Sequence, residues 1–191
     1  MSDDSSVLVS YCNNAQQEHE WIQAKSRDAG RGCMNLFCHY QEPSIIFGVS
    51  QRPELAHQSF LDDHNVPWLR RRAGGGAVFA GNWLLGVTTV LPSTHALACL
   101  DQTETYQHFS GVWLNVLDEL GIECRLPSER EMSISRASAK EFGTDWACYA
   151  AIGHGELVSD DGRKLLGLAQ VRTRSAVLVV AGLTLQFSPI I

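Results

Sequence analysis

Two stretches of the chain carry the residues that could do chemistry. In the first, "WLRRRAGGGAVFAG" (68–81), Arg70, Arg71 and Arg72 run almost directly into Gly74, Gly75 and Gly76. Guanidinium groups beside backbone N–H groups that no side chain screens suit the close approach of a carbonyl or a phosphate. In the second, "DWACYAAIGHGELVSDDGRKLLGLAQVRTR" (145–174), Cys148 precedes a turn and Lys164 follows it. A cysteine acts as its thiolate and so calls for a nearby cation; a thiol and a cation so placed suit nucleophilic catalysis. Each stretch also has a plainer reading, a glycine-rich turn with solvated arginines in one case and a buried structural thiol in the other.

Several alternatives fail on spacing. A phosphate-binding P-loop needs Lys-Ser/Thr and a helix after its glycines, whereas Gly76 leads into Ala77, Val78 and Phe79, which is strand chemistry. The uninterrupted glycine triplet also lacks the spacing of dinucleotide-binding and kinase loops. A cysteine hydrolase pairing Cys148 with His154 is weakly supported, because closeness in sequence does not bring the side chains together and no third group is identifiable. The cysteines at 12, 33, 38, 99, 124 and 148 form no Cys-x-x-Cys pair, so no metal site is expected. Cys33 and Cys38 fall in a strand-like run, where an odd separation puts them on opposite faces.

These groups must be positioned by a folded domain. Helical periodicity covers 18–28, 54–64 and 103–120, the last stopping at Gly121. Strand-like runs outnumber helices and do not alternate with them, which predicts an α+β domain around a mixed or antiparallel sheet. They include "GIECRL", "GELVS" and "KLLGLAQV", the last two joined by the turn "SDDGRK". Period-two alternation places Lys164 on one face with Leu166, Leu168, Gln170 and Arg172, and Leu165, Gly167 and Ala169 on the other; just after a turn, Lys164 should be partly exposed. Gly167 within a strand predicts that something approaches its backbone closely. With 191 residues, 45% hydrophobic content and no repeats or linkers, one domain over 1–191 is expected. The net charge of −6 argues against a nucleic-acid partner. No basic leader and no run of about 18 apolar residues point to a cytoplasmic protein with no membrane partner.

In combination, "RRRAGGGAVF" and "DGRKLLGLAQVRTR" resemble the lipoate-protein ligase and octanoyltransferase family, within the biotin/lipoate protein ligase catalytic-domain superfamily. "SIIFGVSQRPE" resembles an early strand and turn of that family, and the 103–120 helix fits in order. The resemblance implies a mixed, largely antiparallel sheet flanked by helices, with a tunnel for a medium-length acyl chain. It implies transfer of an octanoyl or lipoyl group to a lysine of a lipoyl carrier domain, with an acyl carrier protein as a possible donor. Cys148 stands where the nucleophile of the cysteine-dependent transferases would be, and Lys164 matches the family's central lysine; these are the expected catalytic residues. Arg71, Arg72, Gly74, Gly75, Gly76, Ala77, Val78, Gly167 and Ala169 are the expected substrate-binding residues. The transferase reading needs no cofactor. An ATP-dependent ligase working through lipoyl-adenylate, with ATP and Mg2+, is the alternative, and a noncatalytic acyl- or carrier-binding descendant is a third. The chain departs from the family pattern at Ala73, in place of Ser or Thr, and at Ala80-Gly81-Asn82, where ligases carry a His-Asp; it is also short at its C-terminal end.

Overall fold

Long apolar runs such as "LLGVTTVLP" and "AVLVVAGLT" leave no polar face for solvent, and such segments belong in the middle of a sheet covered on both sides. The computed structural model, whose described residues are 7–30, 32–52, 61, 63 and 65–186, places them there. In chain order its elements are β1 (Leu8–Cys12), α1 (Ala15–Arg27), β2 (Met34–His39), β3 (Ser44–Phe47), β4 (Trp68–Arg70), β5 (Val78–Ala80), β6 (Leu84–Pro92), α2 (Gln102–Glu119), α3 (Glu129–Glu141), β7 (Leu157–Val158), β8 (Lys164–Arg172) and β9 (Ala176–Thr184). A six-stranded sheet has the order β1-β2-β6-β9-β8-β7 and is antiparallel except for the β1–β2 pair. A smaller sheet, β4-β3-β5, carries the arginine-glycine segment at its margin. The α+β, largely antiparallel architecture expected from the sequence is the one observed.

Helix ends follow local chemistry. Asn14 caps α1 by accepting from the Gln17 N–H, and Asp101 with Glu104 forms a reciprocal capping box at the start of α2. Gly121, at φ 70°, ends α2 in a left-handed conformation that favours glycine. The helix expected over 54–64 lies largely outside the described residues. "GIECRL" is not a full strand: it contributes a single bridge between Arg125 and Val158. Helix α3 was not foreseen, because it buries only Met132 and Ala139 and so shows no apolar stripe. Among the described residues no helix is long and apolar enough to cross a membrane.

Three glycines lie abreast across the large sheet. Gly86 of β6 pairs with Gly182 of β9, which pairs with Gly167 of β8. Cross-strand partners share a face, so the row forms a shallow trough. A methyl group on Gly86 would strike the Tyr40 hydroxyl, and one on Gly182 or Gly167 would meet the Tyr149 hydroxyl at 2.7 and 3.3 Å. The close approach predicted at Gly167 is thus made by Tyr149. Cys38 lies in β2 but Cys33 stands just before it, so strand alternation does not relate the two; they pack into different core clusters.

Candidate active site

The glycine triplet brings the two chemical stretches together. A side chain on Gly76 would put its Cβ 2.7 Å from both the Cys148 nitrogen and the Trp146 oxygen, so only glycine lets the two backbones lie this close. The Ala77 N–H donates to the Trp146 carbonyl at 2.8 Å and the Cys148 N–H to the Ala77 carbonyl at 2.7 Å. Cys148 is therefore held by the segment after the arginines. Gly75, at φ 90°, turns its carbonyl against Gly48, where a Cβ would collide with it. Arg71 curls back to donate from one terminal nitrogen to the Gly74 and Gly76 carbonyls, at 2.9 and 3.1 Å. Its buried Nε has no hydrogen bond. Arg72 is exposed and reaches Ser26 Oγ at 3.3 Å. Much of the local positive charge braces the loop.

Lys164 differs from expectation on two counts. It is 8% exposed, not half-open after its turn. Its Cε also lies 3.3 Å from where a Gly167 Cβ would stand, on the face assigned to Gly167. The cause is a bulge: Val158 pairs with Lys164 and Leu157 with Leu166, so Leu165 is the extra residue and alternation breaks there. The ammonium pairs with Glu156 Oε2 at 2.7 Å and donates to the carbonyls of Cys148 and Ala151 at 2.8 and 3.1 Å. Cys148 Sγ lies 3.9 Å from it. Glu156 also accepts from the Gly153 N–H at 2.5 Å. This carboxylate was missed from the sequence; its place just before the short strand facing Lys164 across the hairpin is the signal that could have found it.

Cys148 opens onto a largely apolar cavity over the glycine trough. Of the expected substrate-binding residues, Arg71, Arg72, Val78, Gly167 and Ala169 line it, whereas Gly74, Gly75, Gly76 and Ala77 do not and instead set the loop and the Cys148 backbone. Two unforeseen wall residues are Glu18 and Tyr40. Glu18 is 5% exposed and accepts from the Tyr40 hydroxyl at 2.6 Å; burial raises its carboxyl above the ordinary range, against the lowering effects of that bond and of Arg71. The Tyr40 phenol is raised too, chiefly by burial. His154 lines a different cavity with Tyr106, Ser110 and Met132. Among the described residues no cluster of three or more His, Cys, Asp or Glu could hold a metal ion.

A thiol beside a buried cation, lining an apolar cavity behind an arginine-braced glycine loop, is equipped to handle an acyl group. Residues 13–189 match the family model described as the lipoyl protein ligase A/B catalytic domain. The chain belongs to that family. As a lipoyl protein ligase A/B catalytic domain it is 26% identical over 100 residues to lipoate–protein ligase 1 of Staphylococcus aureus, a stretch covering 52% of this chain and 29% of that protein. The chain thus spans well under two thirds of the curated relative it matches. Among solved structures, protein Ta0514 of T. acidophilum with bound lipoic acid superposes with a TM-score of 0.72 and 19% identity, over 96% of this chain and 69% of that one. Lipoate-protein ligase A bound with ATP gives a TM-score of 0.70 and 19% identity, over 96% and 68%. The lipoyl protein ligase catalytic-domain fold is therefore common to all three.

Proposed function

We propose that this domain transfers a medium-length acyl group, octanoyl or lipoyl, through a thioester on Cys148 to a lysine of a lipoyl carrier domain. The observation that carries this reading is the Cys148 sulfur, on the wall of the apolar cavity, 3.9 Å from the Lys164 ammonium. The thiolate attacks the acyl carbonyl carbon, forming the enzyme C–S bond as the bond to the donor sulfur breaks and the donor leaves as a thiol after taking a proton. A neutral acceptor amine then attacks the thioester; the C–N bond forms, the C–S bond breaks and the amine proton returns to sulfur. Carrier-domain use has a parallel in a bipartite lipoate protein ligase described with its E2 lipoyl domain from Thermoplasma acidophilum, 20% identical over 95% of this chain.

An ATP-dependent ligase reading has its own support in the unpaired, buried Nε of Arg71 beside the glycine loop, a donor that suits an adenylate oxygen. In that reading Arg71 and the glycine loop would hold ATP, which supplies an activated acyl group, and the protein residues orient it. Intact-protein mass spectrometry separates the two. With an octanoyl thioester, the wild type should gain one hydroxylamine-sensitive acyl mass and Cys148→Ser none. Pyrophosphate released from ATP and free lipoate by the wild type, persisting in Cys148→Ser, rejects the thioester route in favour of the ligase.

A further inference from the structure

Cys148 sits on a one-turn helix, Cys148–Ala150, whose own backbone bonds are too few to fix it. What holds it comes from three sides. The Cys148 N–H is bound by Ala77 and its carbonyl by Lys164. The third hold is the next side chain. The Tyr149 hydroxyl enters the trough above Gly182 and Gly167 and donates to the Gly182 carbonyl at 2.5 Å. Its ring also stacks beneath the Lys164 ammonium, 4.9 Å from the ring centroid. One phenol therefore touches the sheet floor and the cation that faces the thiol. The two glycines are register partners on adjacent strands, so the slot is part of the sheet itself. Burial raises the phenol above its usual range, which keeps it the neutral donor that the Gly182 carbonyl requires.

We infer that Tyr149 is the positioning residue of this site: its hydroxyl, seated in the Gly167–Gly182 slot, sets the Cys148 sulfur beside Lys164 on the cavity wall. This rests on the reading of Cys148 as the acyl acceptor. Tyr149 lines the cavity beside Lys164, and the role inferred for it runs through Cys148, so its loss must show in the reactivity of that thiol rather than only in folding.

The test uses the full chain and an internal standard, the exposed Cys99. Alkylation by iodoacetamide is followed at both cysteines by peptide mass spectrometry. In Tyr149→Phe, which keeps the ring and removes the donor, the Cys148-to-Cys99 rate ratio should fall at least about threefold while circular dichroism is unchanged. Acylation by an octanoyl thioester should lose about tenfold in maximum rate with KM nearly constant, as expected when a nucleophile is misplaced while donor binding stays intact. Gly182→Ala, whose methyl would meet the same hydroxyl at 2.7 Å, should reproduce the fall in ratio and decides the matter if Tyr149→Phe fails to fold. An unchanged ratio in either folded variant overturns the inference. A wild type that takes no acyl mass overturns the thioester reading instead, and the alkylation ratio still reports whether Tyr149 places the thiol.

Discussion

Lys164 and Glu156 form an ion pair of 2.7 Å whose side chains are only 4% and 7% exposed. Removing one partner strands the other charge in the interior. Lys164→Met should therefore destabilise the domain by about 3–5 kcal/mol, a large share of the ~5–15 kcal/mol that holds a domain together. Glu156→Gln should cost a similar amount, and Lys164→Met combined with Glu156→Leu should recover most of the loss. Urea midpoints of the three variants decide this; a single Lys164→Met as stable as the wild type would contradict the buried pairing. Any catalytic test at Lys164 must be read against its stability.

The glycines of the triplet should respond differently to one added methyl. At Gly76 it meets backbone atoms of Trp146, Ala147 and Cys148 within 2.9 Å, whereas at Gly74 nothing lies within 4 Å. Gly76→Ala should break the hydrogen bonds of Ala77 to Trp146 and Cys148 and abolish acyl labelling of Cys148, while Gly74→Ala should label like the wild type. At Gly75 the strain is conformational, roughly 1–2 kcal/mol for a side chain at positive φ. Labelling stoichiometry by mass spectrometry gives the order, and equal labelling of Gly76→Ala and wild type would reject the tight approach.

Glu18 should make stability fall as the solution becomes less acid. Because burial raises its carboxyl in the folded state, the folded chain holds that proton more tightly than the unfolded chain. Stability from this group is present below the ordinary carboxylate range and lost as pH rises through the higher, folded value. Glu18→Gln should flatten this slope and unfold at higher urea than wild type near neutral pH. A wild-type profile with no such decline, or a variant with the same slope, would show that Glu18 is ionised when folded.

Arg71 donates to two main-chain carbonyls of the loop that follows it. Arg71→Ala should leave them without their charged partner, at a cost of about 1–3 kcal/mol, and hydrogen exchange should quicken at residues 74–78. Donor binding should weaken at the same time. Unchanged exchange across the loop would mean that the guanidinium does not brace it.

How far the sequence could be read depended on the range of each interaction. Continuous apolar runs located β6 and β9, and helical periodicity located α2, because their side chains report local burial. Helix α3 opens on a capping box of Ser128 and Glu131 in the folded chain, but with only Met132 and Ala139 buried it carries no apolar stripe to announce it. Alternation misplaced Lys164 because a bulge at Leu165 is set by pairing with β7, which a count along one strand does not contain. Glu18 and Tyr40 enter the cavity from separate elements, and Glu156 gains its meaning only from the hairpin fold; no motif marked any of the three. The arginine-glycine and Cys148–Lys164 stretches were legible as chemistry, while their direct contact through Gly76 was a property of the folded backbone.

An ammonium group offers three hydrogens, and those of Lys164 already face Glu156, the Cys148 carbonyl and the Ala151 carbonyl. A substrate oxygen arriving at Cys148 can be received by this lysine only when one of the protein's own carbonyls lets go. If Lys164 is that donor in the proposed route, its bond to the Cys148 or Ala151 carbonyl acts as a latch that has to open before charge on the substrate reaches the ammonium. Turnover would then keep time with that latch, faster in variants that loosen Ala151 from Lys164 and slower in those that tighten it, even where the thiol and the cavity are unchanged.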